Sequence, residues 1–355
     1  MAGGRLQVAA VRRRGVAIAF VVVLGLLNAQ ARAQFVGPPR PPASAISPEE
    51  VAVVVNVDAP LSVELGERYR ELRRIPERNL IRVHLPGSPR RLSEAAFDQL
   101  RREIDRQADP SVEVLVLAWT APYAVECNSI TGALALGFQR ELCKNTCSPS
   151  RPNPYFAAAP AVRPADAGIR LAMLLPTQSE AAGLALMQRG AASDGSRPQA
   201  SAYLLKTSDA NRSSRARLFP RSTFVWRQKL AVKNLVADAI EGERDVMFYF
   251  TGLVSVPKLE TLGFLPGAVA DHLTSAGGDL LGTGQMSSLR WLEAGATASY
   301  GTVSEPCNYW EKFPNPAVLM PHYLAGETVV EAYWKSVKWP GQGVFIGEPL
   351  ASPYR

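Results

Sequence analysis

The chain has 355 residues, with 39 Lys+Arg against 32 Asp+Glu and a formal net charge of +7. Five of the Arg lie in the first 33 residues, which hold no acid, so 34 basic residues face 32 acidic ones in the remainder. That near balance removes nucleic acid as a partner. About 320 residues are enough for one large α/β domain or two small ones.

Residues 1–33 read as a secretory signal peptide. Arg5, Arg12, Arg13 and Arg14 precede the apolar run GVAIAFVVVLGLLNA, and Ala31-Arg32-Ala33 supplies a small-residue cleavage site before Gln34. The run is shorter than the ~20 residues of a spanning helix, so no membrane span is expected after cleavage. No Cys follows the small residues, which argues against a lipoprotein. Residues 34–48 carry five prolines and read as an extended linker to a single α/β domain over 49–355.

Within that domain Ser47-Pro48-Glu49-Glu50 opens a short helix. VAVVVN (51–56) is a β-branched run suited to a strand buried on both faces. SVELGERYRELR follows as a surface helix, then LIRVHLP (80–86) as a strand. Ser93 caps a helix that carries Phe97, Leu100 and Ile104 on one side, and VEVLVLAW (112–119) is the third strand. Strands alternating with helices at this spacing imply parallel βαβ units. About 120–198 the pattern is irregular and reads as an insertion held by disulfides. Cys127, Cys143, Cys147 and Cys307 are an even set, fit for two disulfides in an oxidising compartment, with three connectivities open. A metal site is the lesser reading, since no His lies near Cys143 and Cys147 in sequence.

ASAYLLKTSD (200–209) returns to strand character, and Leu230 to Ile240 reads as a helix. DVMFYFTGL and GAVADHLTS are apolar runs that each end in a Gly-bearing loop. A helix with Ser287, Leu289, Trp291 and Leu292 stops at Gly295, and ATASYGTV is a strand. Two further helices and GVFIGEPLASPY close the chain. Strand ends of this kind are where open α/β sheets bind ligands.

This order resembles the C-terminal half of gingipain-type cysteine peptidases. The resemblance implies a caspase-like sandwich: a mainly parallel sheet flanked by helices, with an irregular cysteine-bearing insertion. Over roughly residues 48–355 the chain is also similar to a family of secreted bacterial proteins that share the stretches YFTGL, HLTSxGG, MSSLRWLEAGAT and IGEPLAxPY. The peptidase resemblance implies a His after the first apolar run and a Cys at the end of the second. Here Thr251-Gly252 is followed by Leu253-Val254, and the Cys position falls near Thr274 or Ser275. Leu can neither accept nor donate a proton, so the thiol mechanism fails at these positions.

Other residues offer chemistry, each beside a plainer account. His272, Ser275 and Asp271 invite a hydrolase reading. Adjacent strand side chains face opposite ways, however, so Asp271 is badly placed to orient His272, which also fits a hydrogen-bonded structural role. Cys307 is either a nucleophile or half of a disulfide. Asn56 and Asp58 end the first strand and either bind a ligand or, for Asp58, cap the next helix. Lys206, Ser208, Asp209, Arg212 and Arg215 either receive an anion or form a solvated helix start. Thr251 and Asp271, at the ends of the apolar runs, join the ligand-binding candidates. Gly277, Gly278, Gly282 and Gly284 lack nucleotide-loop spacing and read as a turn. His84, His272 and His322 are widely separated and make a poor zinc site unless the fold gathers them with Asp271 or Asp58; no metal and no cofactor is expected. The expectation is a secreted or periplasmic, non-catalytic caspase-like domain that binds a peptide, glycan or protein partner. The alternative is a divergent hydrolase with its site at the C-terminal strand ends.

Overall fold

The computed structural model describes Met1 and residues 46–219, 224–226 and 230–355. Met1 and Ile46–Pro48 apart, the signal peptide and linker expected at 1–48 lie outside the described residues. The chain first forms β1 (Val51–Asn56), α1 (Pro60–Leu72), β2 (Leu80–Val83), β3 (Arg91–Leu92), α2 (Glu94–Gln107) and β4 (Val114–Leu117). Then come β5 (Ala124–Val125), β6 (Asn128–Ser129), α3 (Ile130–Leu136), α4 (Arg140–Lys144), β7 (Leu171–Leu174) and α5 (Glu180–Ser193). The second half runs β8 (Ala200–Lys206), β9 (Phe224–Trp226), β10 (Leu230–Val236), β11 (Val246–Thr251), β12 (Phe264–His272), α6 (Leu289–Glu293) and β13 (Ala298–Thr302). It ends with α7 (Pro316–Leu324), α8 (Val329–Ser336) and β14 (Gly343–Gly347).

Local chemistry accounts for these choices. Every residue of β1 is buried, as a β-branched run without polar alternation requires. Pro60 opens α1 at a position where its missing N–H costs nothing, and Leu65 and Tyr69 turn inward. Ser93 accepts a hydrogen bond from the Ala96 N–H at 3.3 Å and so starts α2, whose Phe97, Leu100 and Ile104 are buried.

Among the described residues, eleven strands form one sheet in the order β2-β1-β4-β7-β14-β13-β12-β11-β8-β10-β9. From β2 to β14 neighbours are parallel, and from β13 to β10 they are parallel again. The two runs point in opposite directions, because β13 and β14 pair antiparallel over five residues. Each run repeats one topology: its second strand lies outside its first, and its third and fourth follow on the other side. Helices flank the sheet: α1 packs on β1 and against α5, α5 runs over β12, α3 and α8 lie against β7, and α6 lies against β13. The result is an α/β architecture with a large, mainly parallel sheet, consistent with a caspase-like sandwich. A small sheet of β3, β5 and β6 stands beside it.

The structure corrects several readings. Leu230–Val236 is a strand paired with β8 over seven residues, where a helix was expected. Leu230 and Val232 are buried while Ala231 and Lys233 are half-buried, the alternation of a strand beside a partner. The irregular segment is also narrower than 120–198, since Leu171–Leu174 is a central strand of the sheet and Glu180–Ser193 is a regular helix. His84 lies just past the end of β2 and is exposed. Gly278 keeps φ out of the left-handed region; its lack of a side chain lets it approach Gly301, whose carbonyl oxygen would sit 2.4 Å from an added Cβ.

The four cysteines are paired as Cys127–Cys143 and Cys147–Cys307, and none is free. Both cross-links secure the irregular segment. The first closes a 16-residue separation and the second one of 160 residues, tying that segment to the loop after β13. Chain entropy then predicts about 3 kcal/mol of stabilisation from the short ring and about 5 kcal/mol from the long one. The pair of substitutions Cys147→Ser/Cys307→Ser should therefore lower the denaturant midpoint more than Cys127→Ser/Cys143→Ser. In the unaltered protein, iodoacetamide should label no cysteine before reduction and all four after it, read by peptide mass mapping. Labelling of Cys307 in the oxidised protein would overturn the pairing.

Candidate functional site

Because the two parallel runs oppose each other, their C-terminal strand ends open on opposite edges of the sheet. One edge carries the ends of β1, β2, β4 and β7, with Asn56, Asp58 and His84. The other carries the ends of β8, β11, β12 and β13, with Lys206, Asp209, Thr251, Asp271, His272 and Ser275. The sequence candidates are thus divided between two places.

On the first edge, Asn56 is buried and fully employed. Its Nδ2 donates to the Leu85 carbonyl at 3.1 Å, and its Oδ1 accepts from the Leu85 and Asp58 N–H groups at 3.0 and 3.1 Å. It clamps a turn and has nothing left to offer a ligand, contrary to expectation. Asp58 caps no helix, since α1 is preceded by Ala59 without a side-chain cap. Its Oδ1 instead meets the exposed His84 Nδ1 at 3.2 Å.

On the second edge, the chemistry expected of Asp271 and His272 is spent inside the fold. Asp271 is fully buried and forms an ion pair with the Arg215 guanidinium, while Tyr333 donates to its other oxygen at 3.2 Å. Arg215 also donates to the Thr251 carbonyl at 3.0 Å and lies 5.3 Å from the centre of the Phe250 ring. Both charges sit away from solvent. Removing either partner of such a pair typically costs about 3–5 kcal/mol, so this is a scaffold interaction, and Asp271 is unavailable to a ligand.

His272 is also buried and both ring nitrogens are occupied. The Trp291 indole N–H, which can only donate, reaches Nδ1 at 2.9 Å, so Nδ1 accepts and Nε2 bears the proton it donates to the Met286 carbonyl at 3.1 Å. Complete burial first, and then Arg215 and Arg212, pull its pKa down to about 3 against the opposing pull of the Met286 carbonyl. A His so held is neutral and has no free nitrogen for a substrate, which corrects the catalytic reading. Cys307 carries no thiol, being bonded to Cys147. Leu253, at the position the peptidase resemblance gives to a base, packs against the core cluster of Tyr203, Tyr249 and Trp291. Ser275 is half-buried in the loop after β12, and its carbonyl accepts from Thr302 Oγ1 at 3.1 Å.

What the second edge does assemble is a polar rim. Asp209 accepts from the Arg212 backbone N–H and holds the Arg212 guanidinium at 2.8 Å. Arg212 Nε donates to Thr274 Oγ1 at 3.1 Å, and Thr274 in turn donates to Gln285 at 2.7 Å. Gly252 permits this closeness, for an added Cβ would meet the Arg212 carbonyl oxygen at 1.9 Å. Lys206 is exposed at the end of β8, and Thr251 is buried with its hydroxyl unpartnered among the described residues. Around this rim stand exposed apolar side chains: Val236 ends β10, and Val254, Leu281 and Tyr309 lie in the loops that leave β11, β12 and β13.

Gln285, and the pairing of Arg215 with Asp271 and Tyr333, were missed in the sequence. So was Glu348 of the closing IGEPL, which is fully buried and accepts from Arg73 at 2.6 and 2.9 Å and from Tyr69 at 2.5 Å. A lone acid inside an apolar stretch was the available signal, because a buried charge requires a partner. Among the described residues no cluster of His, Cys, Asp and Glu could hold a metal, and no helix is long and apolar enough to cross a membrane. No family model, curated protein or solved structure matches this chain.

The depressed pKa of His272 sets a pH dependence. The unfolded chain takes up this proton near pH 6.5 and the folded chain only near about 3, so stability falls as pH drops through that window. The slope from this residue is about 1.4 kcal/mol per pH unit. Replacing it with a non-titrating residue, His272→Asn, should flatten the fall measured by urea unfolding between about pH 6 and 4. An unchanged slope would show that His272 titrates normally.

Proposed function

We propose that this chain is a secreted, non-catalytic caspase-like domain that binds a peptide, glycan or protein partner at the edge formed by the ends of β8, β11, β12 and β13. The signal peptide read at 1–33 delivers it, and the two disulfides suit the oxidising compartment outside the cytoplasm. One observation carries the reading. Among the described residues at the strand ends where a peptidase would hold its base and nucleophile, His272 has both nitrogens committed, and Cys307, in the loop after β13, is cross-linked.

The same edge has the features of a recognition surface. Apolar side chains at Val254, Leu281 and Tyr309 surround polar groups fixed by mutual hydrogen bonds. Exposed apolar side chains beside fixed polar groups offer a partner both area to bury and hydrogen bonds to make. The Arg212 network is already hydrogen-bonded without a partner, which lowers the ordering cost of binding.

The test has two arms. Arrayed peptides and glycans should yield a ligand class whose affinity falls at least about tenfold in Val254→Asp/Leu281→Asp, with an unchanged unfolding midpoint. Fluorogenic peptides and esters should show no turnover. Turnover that disappears in Ser275→Ala would establish the hydrolase instead.

A further inference from the structure

A cavity of about 280 Å³ lies on the other edge of the sheet, beyond the C-terminal end of β7, between α5 and α6. Pro176, Gln178, Leu186, Arg189, Leu292 and Glu293 line it. The place is the carboxyl end of a parallel strand, where open α/β sheets receive ligands. The volume is close to the lower end of small-molecule sites, about 300 Å³.

Arg189 makes the cavity unusual. Every other buried or half-buried Arg among the described residues holds a carboxylate: Arg70, Arg73, Arg163, Arg170, Arg212 and Arg215. Arg189 holds none. Its Nη2 donates to the Leu292 and Ala296 carbonyls at 3.2 and 2.7 Å, while its Nε is buried without an acceptor. Glu293 shares the cavity but pairs with Arg290. Capping the end of α6 uses Nη2 and leaves the Nε and Nη1 N–H groups of the guanidinium without a protein acceptor among the described residues, so Nη1 can still give an anion a charge-assisted hydrogen bond. An uncompensated cation at an apolar wall is costly unless something anionic completes it.

We propose that this cavity binds a small acid, its carboxylate on Arg189 and its apolar body against Leu186 and Leu292. The shared chemistry is a carboxylate on an apolar group, whether a free organic acid or the C-terminus of a peptide. The site is independent of the binding edge proposed above, which lies at the opposite ends of the strands.

The experiment titrates the full protein with hexanoate, with hexanol as its neutral counterpart, and with a short peptide ending in Leu as free acid or amide, read by calorimetry and ligand-observed NMR. We expect hexanoate or the peptide acid to bind saturably, with a Kd of about 1 mM or tighter, and hexanol and the amide to bind at least about tenfold more weakly. Arg189→Gln should remove that preference and Arg189→Lys restore part of it. Ala185→Trp, which fills the cavity from the exposed side of α5, should block binding without touching the Arg189 hydrogen bonds, and covers the case in which Arg189→Gln fails to fold. Tighter binding of the peptide acid than of hexanoate identifies a chain terminus as the ligand, and the reverse identifies a free acid. No saturable binding of either acid to the folded protein, or binding unchanged in Arg189→Gln and Ala185→Trp, overturns the proposal.

Discussion

The antiparallel seam between β13 and β14 is the constraint on which the rest of the molecule depends. Parallel strands need long crossovers, and a sheet built only from them presents all its C-terminal ends on one edge. Here one hydrogen-bonded pair, from Ala298↔Gly347 to Thr302↔Gly343, reverses the direction of everything beyond it. The seam is covered on its faces by bulky side chains. Phe345 lies 4.9 Å from Tyr300 and 4.5 Å from Trp334, ring centre to ring centre, and Tyr300 donates to the Lys312 carbonyl at 2.6 Å. Glu348 then anchors the end of β14 to Arg73 beside α1. Two half-sheets of the same topology are held back to back, and each keeps its own crevice.

Several polar residues that look functional are needed by this scaffold. The ends of β11 and β12 must bury a carboxylate, a guanidinium and an imidazole, and the fold satisfies each with a dedicated partner. α6 supplies the Trp that fixes His272, and its C-terminal carbonyls receive Arg189. That short helix therefore connects the two edges, with one contact on the side of the polar rim and another on the side of the cavity.

Much of the layout was legible in the sequence. β1 announces itself by five apolar residues without alternation, and α2 by its Ser cap and three apolar residues on one side. β10 was lost because Ala, Leu, Lys and Asn carry little strand preference of their own; pairing with β8 and the seat of Lys233 over the Tyr203 ring decide its state. β7 was lost because its four residues are embedded among prolines and glycines, and only its place between β4 and β14 reveals it. The site was less legible. The sequence puts Asp58 and Asp271 at strand ends alike, and nothing local states that those ends face opposite ways, since that follows from the one antiparallel pair formed near the C-terminus.

β14 is the last strand of the chain, yet it sits in the middle of the sheet, with β7 on one side and β13 on the other. A chain that is made from its N-terminus therefore delivers the two half-sheets before the strand that joins them. Until Gly343–Gly347 arrives, β7 and β13 each expose an open edge of unpaired backbone groups, the kind of edge that recruits other chains. The long covalent ring closed by Cys147 and Cys307 contains both of these strands and excludes β14. Oxidation can thus bring the two edges near each other while the slot between them is still empty, and the final strand completes the sheet by filling it.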